Sequence, residues 1–284
     1  MEVEIAQYSG YCFGVKRALK IVEKTLDENR GSGRKVYTLG SVIHNPGVMK
    51  ELSSMGLISV NSSEGIKPGS LLIIRSHGMS PRVLKGLLHN NIEIIDATCP
   101  FVKKAQAKVK KLESQGYFVL VIGNRDHPEV IGIKEQLDDN NVKVIEDSLE
   151  ASGLGFKKKI GVVIQTTQTA DRVKSITTVL IDKCKELLIC NTICDTTKNR
   201  QESTKKLSNK VDVMIIAGGK NSANTTHLAD ISLSENKNTY HTESYNEIKP
   251  AWFKHSDKIG ISGGASTPEK DIIDIKKTIE SFDS

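Results

Sequence analysis

The sequence predicts an α/β protein made of three similar small α/β domains arranged around a pseudo-threefold axis. Apolar runs typical of strands alternate with segments of helical periodicity along the 284 residues. Aromatic residues make up only 5% of the chain, as in parallel sheets rich in aliphatic residues and buried on both faces. A cysteine turn recurs at spacings of 87 and 95 residues, which is too long for a solenoid repeat. The predicted domains are residues 1–98, 99–193 and 194–284.

The predicted strands are short apolar runs that end in polar turns. They cover residues 1–9, 35–39, 70–75, 92–96, 116–122, 159–164, 187–194, 211–217 and 258–262. Helices are predicted to begin near residues 15, 46, 81, 102, 171, 197, 225 and 269. The first shows helical spacing of Ala18, Leu19 and Val22, and another begins with an N-cap Ser80 followed by Pro81.

Composition limits the classes of partner. The net charge of +6 arises from 40 basic and 34 acidic residues, a mild excess that suits an anionic small molecule better than nucleic acid. No apolar run reaches the length of a membrane span, and the first residues, with Glu2 and Glu4, lack a signal-peptide core. Five cysteines, an odd number, do not indicate a disulfide framework. We therefore expect a cytoplasmic protein with reduced thiols and no membrane or nucleic-acid partner.

Three of the five cysteines, Cys12, Cys99 and Cys194, occupy the repeated turn, each followed four residues later by lysine. A helix N-terminus favours the thiolate form, which binds soft metals. Three thiolates at one centre suit zinc or an iron–sulfur cluster, and a cluster can take ligands from three separate domains. We predict that Cys184, in a helical stretch, and Cys190, in a strand, are small buried hydrophobes.

The other polar turns recur at similar sequence distances after each cysteine. His44, His127 and Ser222 follow their cysteines by 32, 28 and 28 residues, and a second set follows by 65 to 72 residues: His77, Thr166 and Ser266. Ligands of parallel sheets bind beyond the carboxyl ends of the strands, where these turns lie. Three related modules would thus bring the turns to one centre.

Two glycine-rich turns, 218–224 and 263–266, precede predicted helices and offer clustered N–H donors. Together with His44, His77 and His127 they favour a compact, highly charged anion such as a diphosphate. The remaining histidines are predicted to be structural or exposed: His89, His227, His241 and His255. A phosphotransferase is disfavoured because the chain lacks a P-loop and an acidic metal-binding cluster. A non-catalytic iron–sulfur or zinc sensor would explain the cysteines but not the anion turns.

In combination, nine motifs resemble the LytB-type 4-hydroxy-3-methylbut-2-enyl diphosphate reductases. They are the motifs at residues 10–15, 43–46, 75–78, 96–100, 127–129, 165–167, 192–194, 221–224 and 264–266. The resemblance implies a trefoil of three α/β domains around a 4Fe–4S cluster. It also implies the last step of the non-mevalonate isoprenoid pathway, which yields isopentenyl and dimethylallyl diphosphates. Ala223 departs from the second serine found in many members, so that only its backbone N–H can contact a diphosphate.

The resemblance also implies residue roles. Cys12, Cys99 and Cys194 would hold three irons, and the open fourth iron would bind the allylic hydroxyl as a Lewis acid. The implied catalytic residues are Glu129, His127 and Thr166. The implied substrate-binding residues are His44, His77, His127, Thr166, Ser222, Ala223, Asn224 and Ser266. A ferredoxin or flavodoxin would deliver electrons, and the substrate would fold back so that its diphosphate lies near the cluster.

Overall fold

The computed structural model describes residues 1–88 and 91–283. Its strands form three four-stranded sheets in which every neighbouring pair is parallel. The strands are β1 (Glu2–Ile5), β2 (Val36–Leu39), β3 (Leu57–Val60), β4 (Leu71–Ile74), β5 (Glu93–Asp96), β6 (Phe118–Ile122), β7 (Val142–Ile145), β8 (Lys157–Ile164), β9 (Cys184–Cys190), β10 (Val213–Ala217), β11 (Thr239–Thr242) and β12 (Lys258–Gly263). The predicted α/β class is therefore confirmed.

The α-helices mostly follow the turns where they are predicted. They are α1 (Phe13–Glu28), α2 (Pro46–Ser54), α3 (Pro81–Leu88), α4 (Pro100–Ser114), α5 (Pro128–Lys134), α6 (Ser148–Ser152), α7 (Ala170–Leu180), α8 (Asp195–Ser208), α9 (Ala223–Glu235) and α10 (Glu269–Glu280). Among the described residues, no helix combines the length and apolar character needed to cross a bilayer.

The three sheets share one strand order. They run β3-β2-β4-β5, β7-β6-β8-β9 and β11-β10-β12-β1. In each sheet the two central strands are neighbours, and the two outer strands lie on opposite sides of them. This reversal of strand order creates a crevice at the carboxyl ends of the strands, which is where ligands of such sheets bind. The shared order confirms three similar small α/β modules.

Strand β1 differs from its predicted place in the first module. It pairs with β12 in parallel register, from Glu2 opposite Lys258 to Ile5 opposite Ile261. The third stretch of chain supplies only β10, β11 and β12, so β1 adds the fourth strand that the other two sheets obtain locally. The domain boundaries at residues 98 and 193 remain a prediction.

Packing divides the chain into two compact units. The first unit contains residues 1–15, 44–48 and the chain from Cys194 onward, and it holds the sheet with β1. The second unit contains residues 16–43 and 49–193, and it holds the other two sheets.

Helices cover both faces of the central strands. In β6, Val119 and Val121 pack on one face against α4 and α5, whereas Leu120 and Ile122 pack on the other face against α7. Alternate residues of a strand point to opposite faces, so an apolar run buries both. Complete burial of such side chains contributes about 1.5–3 kcal/mol each. The rigid strands fix the starting points of the polar turns.

Candidate active site

The three cysteines of the repeated turn occupy equivalent positions in the fold. Cys12, Cys99 and Cys194 each stand directly before a helix, α1, α4 or α8, and each follows the fourth strand of a sheet, β1, β5 or β9. All three are partly exposed and unbridged. The Cys12 Sγ accepts the N–H of Val15 at 3.4 Å, as expected for a sulfur at a helix N-terminus.

The other two cysteines lie at the ends of β9. Cys184 begins this strand, so its predicted position in a helix is wrong; the helix α7 ends at Leu180 and a short 3-10 turn follows. Cys184 and Cys190 pack against the two apolar clusters on opposite sides of their sheet. Burial raises the pKa of the Cys184 thiol, which disfavours the thiolate needed for metal binding.

The turn that carries Cys99 is tied to a neighbouring turn. The Cys99 N–H donates to the Ser76 carbonyl at 2.9 Å, next to His77 in sequence. The Arg17 guanidinium donates to the Thr98 carbonyl at 3.1 Å, and the Thr98 N–H donates to Asp96 at 2.9 Å. The cysteine is thereby held beside the turn after β4.

In the first unit, candidate anion ligands gather around helix α9. Ser222 is its N-cap and accepts the N–H of Thr225 at 3.4 Å. Ser266 donates to the His44 carbonyl at 3.1 Å, and a Cβ on Gly219 would lie 2.9 Å from the same oxygen. This unit thus brings the two glycine-rich turns and the backbone of His44 together.

Asn224 lies in the first turn of α9 with only 5% of its surface exposed. Within the part of the chain that the structure describes, neither its Nδ2 nor its Oδ1 has a hydrogen-bond partner. A buried amide without partners costs about 1–3 kcal/mol, so such groups usually bind a ligand or an ordered water. Asn224 is therefore suited to contact a bound anion. Ala223, the first residue of α9, offers only its backbone.

The conformation of the turn after β10 depends on Gly218. Its φ of +137° disfavours other residues, and a Cβ there would lie 2.4 Å from the Thr267 hydroxyl. The His241 Nε2 lies 2.9 Å from the Gly218 carbonyl, which gives this histidine a structural contact. His89, also predicted to be structural or exposed, lies outside the described residues.

In the second unit, Glu129 and Thr166 form a direct pair. Glu129 is 2% exposed in the first turn of α5, and Thr166 follows β8. The Thr166 N–H donates to Oε1 at 2.7 Å, and its hydroxyl donates to Oε2 at 2.8 Å. Burial raises the pKa of Glu129 to about 7, although both hydrogen bonds from Thr166 act in the opposite direction. Glu129 can therefore both hold and release a proton near neutral pH.

Two histidines lie beside this pair in the same unit. His127 is the N-cap of α5, and its Nδ1 accepts the N–H of Glu129 at 3.2 Å. A neutral imidazole that accepts through Nδ1 carries its proton on Nε2, so that Nε2 is a donor. The rings of His77 and His127 meet edge to face with centroids 5.4 Å apart. The two rings therefore belong to one cluster.

Gln165 is a supporting residue that sequence reasoning treated only as part of a motif. Its Oε1 accepts the N–H of Asn124 at 3.0 Å, and its Nε2 donates to Thr167 at 3.1 Å. A Cβ on Gly123 would lie 2.8 Å from the Gln165 side chain, so glycine is required for this approach. Gln165 joins the turns after β6 and β8, which carry Glu129 and Thr166.

Known proteins resemble the chain over its whole length. The family model described as LytB protein matches residues 3–280. The 4-hydroxy-3-methylbut-2-enyl diphosphate reductase of Aquifex aeolicus is 44% identical over 282 residues, covering 99% of this chain and 96% of that protein. The protein of the same name from Geobacter sulfurreducens is 41% identical over 284 residues, covering 100% and 99% of the two chains.

Two solved structures also resemble the chain over most of its length. The structure of an (E)-4-hydroxy-3-methyl-but-2-enyl diphosphate reductase, described as the terminal enzyme of the non-mevalonate pathway, has a TM-score of 0.71 at 43% identity and covers 99% of this chain and 100% of its own. The E-1-hydroxy-2-methyl-but-2-enyl-4-diphosphate reductase from Plasmodium falciparum has a TM-score of 0.89 at 27% identity, covering 97% and 87%. The chain belongs to the LytB protein family.

Proposed function

We propose that this chain is a 4-hydroxy-3-methylbut-2-enyl diphosphate reductase that yields isopentenyl and dimethylallyl diphosphates in the last step of the non-mevalonate pathway. The observation that carries the proposal is the equivalent placement of three cysteines. In each of the three sheets, the outer strand β1, β5 or β9 leads directly to one of these cysteines, which stands at a helix N-terminus. This pattern favours a redox enzyme over a phosphotransferase, which needs no such thiolates.

The LytB family depends on iron–sulfur chemistry, and we assign Cys12, Cys99 and Cys194 as the ligands of a 4Fe–4S cluster. The donor set fits, because soft thiolates are the usual ligands of such clusters and all three cysteines are partly exposed. When bound, the cluster would pass on two electrons from an external carrier, one at a time, and would offer one open, Lewis-acidic iron site.

The reaction consumes two electrons and two protons. The allylic C–O bond breaks, one proton leaves with the hydroxyl group as water, and the other is added to an allylic carbon. The geometry of Glu129 and Thr166 suits the first transfer. With a proton on Oε2, Glu129 donates to the Thr166 oxygen, and the Thr166 hydroxyl can then donate to the leaving group. The pKa of Glu129, about 7, allows this carboxyl to be protonated again at neutral pH.

Glu129 and Thr166 form the proposed proton relay. In addition to this relay, we assign diphosphate binding to seven residues: His44, His77, His127, Ser222, Ala223, Asn224 and Ser266. The buried amide of Asn224 supports this assignment, because a phosphate oxygen would accept from its Nδ2. Hydrogen bonds to charged groups contribute about 1.5–3 kcal/mol each. Ala223 would contribute its backbone N–H alone.

We further propose a cytoplasmic enzyme that takes electrons from a small carrier such as a ferredoxin or flavodoxin. Five unbridged cysteines suit a reducing compartment. The mild excess of positive charge suits an acidic carrier.

The decisive experiment is anaerobic purification followed by iron and sulfide assays, an absorption spectrum and turnover with a reduced dye. We expect about four irons per chain, a broad visible band and both diphosphate products. A colourless zinc protein would contradict the proposal. A cluster without turnover would instead favour a sensor.

A further inference from the structure

Arg200 is a buried cation that the proposed reaction does not use. It lies in α8, six residues after Cys194, and is 2% exposed. Its guanidinium donates to the carbonyl of Gly10 at 2.7 Å and to the carbonyl of Gly263. Among the described residues it forms no ion pair with a carboxylate, and its Nε has no hydrogen-bond partner. A buried charge is costly unless it is compensated, so this arrangement calls for a nearby anion.

The two carbonyls belong to the turns that carry proposed site residues. Gly10 lies two residues before Cys12 and has a φ of +90°. Gly263 ends β12, three residues before Ser266, and its N–H donates to Ser9 at 3.2 Å. The Cys12 N–H donates to the Ala265 carbonyl at 3.1 Å. Arg200 thus joins the helix that follows Cys194 to the turn before Cys12 and to the end of β12.

Arg200 interacts electrostatically with two of the proposed cluster ligands, Cys12 and Cys194, in the same unit. Burial lowers the pKa of Arg200 to about 10, whereas the charges of Cys12 and Cys194 act to raise it. At neutral pH the guanidinium therefore remains charged. As thiolate ligands of the proposed cluster, Cys12 and Cys194 would supply the negative charge that compensates the buried guanidinium.

We propose that Arg200 is a positioning residue for the iron–sulfur centre, holding Cys12 and Cys194 in register and placing a fixed positive charge beside them. This inference rests on the proposed function. Reduction adds negative charge to the centre, and a buried cation nearby favours the reduced state, so it raises the reduction potential. The hydrogen-bonding fork would slow the loss of iron, because both ligand-bearing segments move less.

Arg200→Met and Arg200→Lys separate the two effects. The Met variant removes the charge and both hydrogen bonds, whereas Lys keeps the charge but lacks the planar fork. Ser208→Ala is the matched control, because it removes a buried polar group from α8 that bonds to Ser232 and to the Thr204 carbonyl. All variants are compared as anaerobically reconstituted holoproteins by iron release to a chelator, midpoint potential and melting temperature.

For Arg200→Met we expect iron release to be about 10-fold faster or more, the range for loss of a partner behind metal ligands. We also expect at least a tenfold shift of the one-electron equilibrium toward the oxidised state, which corresponds to about 59 mV. Arg200→Lys should release iron faster but keep a potential near that of the wild type. Ser208→Ala should lower the melting temperature only.

Wild-type iron release and potential in Arg200→Met would overturn the inference, as would the same changes in Ser208→Ala. If the Met variant does not fold, the Lys variant decides, and wild-type iron release in it would overturn the positioning role. Wild-type protein that takes up no iron would contradict the proposed function, and this inference with it. If the wild type binds iron but the Arg200 variants match it in iron release and midpoint potential, the inference is contradicted and the proposed function is not.

Discussion

Glu129 in the second unit and Arg200 in the first are both 2% exposed, yet burial has different consequences for their protons. Glu129 receives two hydrogen bonds from Thr166, and its pKa rises to about 7. Arg200 donates to two carbonyls, and its pKa falls only to about 10. Burial disfavours the charged form of both groups, but only the carboxyl reaches the neutral range. The site around Glu129 can therefore move a proton, whereas Arg200 keeps a fixed charge.

The largest effect is expected when one of the three proposed cluster ligands, two of which interact with Arg200, is removed. Replacing Cys12, Cys99 or Cys194 singly by serine should abolish activity and lower iron content, because a hydroxyl is a poor ligand for a soft metal centre. Iron assay and absorption spectra check this result. Cys190→Ser is the control and should leave both properties near normal. Loss of the cluster in this control, with retention in Cys194→Ser, would show that the ligands are misassigned.

The next effect tests whether Glu129 donates a proton during turnover. Glu129→Gln keeps the shape of the side chain but cannot release a proton, so turnover should fall at least about a hundredfold, the usual range for a positioned acid. Iron content and binding of inorganic diphosphate should remain unchanged. Steady-state kinetics and a binding titration measure these properties separately. Turnover near normal would exclude Glu129 as the proton donor.

A smaller effect is expected at Asn224, whose buried amide is neutral. Asn224→Ala should weaken diphosphate binding by about 1.5–3 kcal/mol, or roughly ten- to a hundredfold, through loss of one hydrogen bond to a charged group. The cluster spectrum should not change. Calorimetric titration with inorganic diphosphate provides the measurement, and Ser208→Ala serves as a control for a buried polar group away from the glycine-rich turns. Unaltered affinity would remove Asn224 from the anion site.

Sequence patterns predicted the central strands because these are buried on both faces and read as apolar runs. The outer strands β3, β7 and β11 were missed. They are four residues long and lie at sheet edges, where polar residues such as those of Thr239–Thr242 are tolerated. The partner of β1 could not be predicted either, because it lies more than 250 residues away and no local pattern encodes such pairing.

Site residues were predictable where they occupy strand-to-helix turns. Glu129 and Thr166 were assigned through the family resemblance, but their direct contact and the pKa of about 7 depend on tertiary packing. Arg200 escaped prediction because it lies within a polar helix, where an arginine usually faces solvent. Only the fold shows that this side chain points inward.

The last effect concerns the pH dependence of stability and follows from the raised pKa of Glu129. Its pKa is 4.5 in the unfolded chain and about 7 in the folded protein. Between these values the unfolded chain has released the proton that folded Glu129 still holds, so the unfolded state binds fewer protons and stability falls as pH rises. The contribution is fully present below pH 4.5 and is lost as pH rises through 7. A difference of this size corresponds to about 3 kcal/mol.

Glu129→Gln lacks this titration, so the free energy of unfolding of the wild type should decline relative to the variant between pH 4.5 and 7, whatever constant offset the amide adds. Urea denaturation across this range measures the difference, and Glu23→Gln, at an exposed position, is the control that should run parallel to the wild type. A constant difference between wild type and Glu129→Gln would mean that Glu129 is ionised throughout, and the contrast with Arg200 would then disappear.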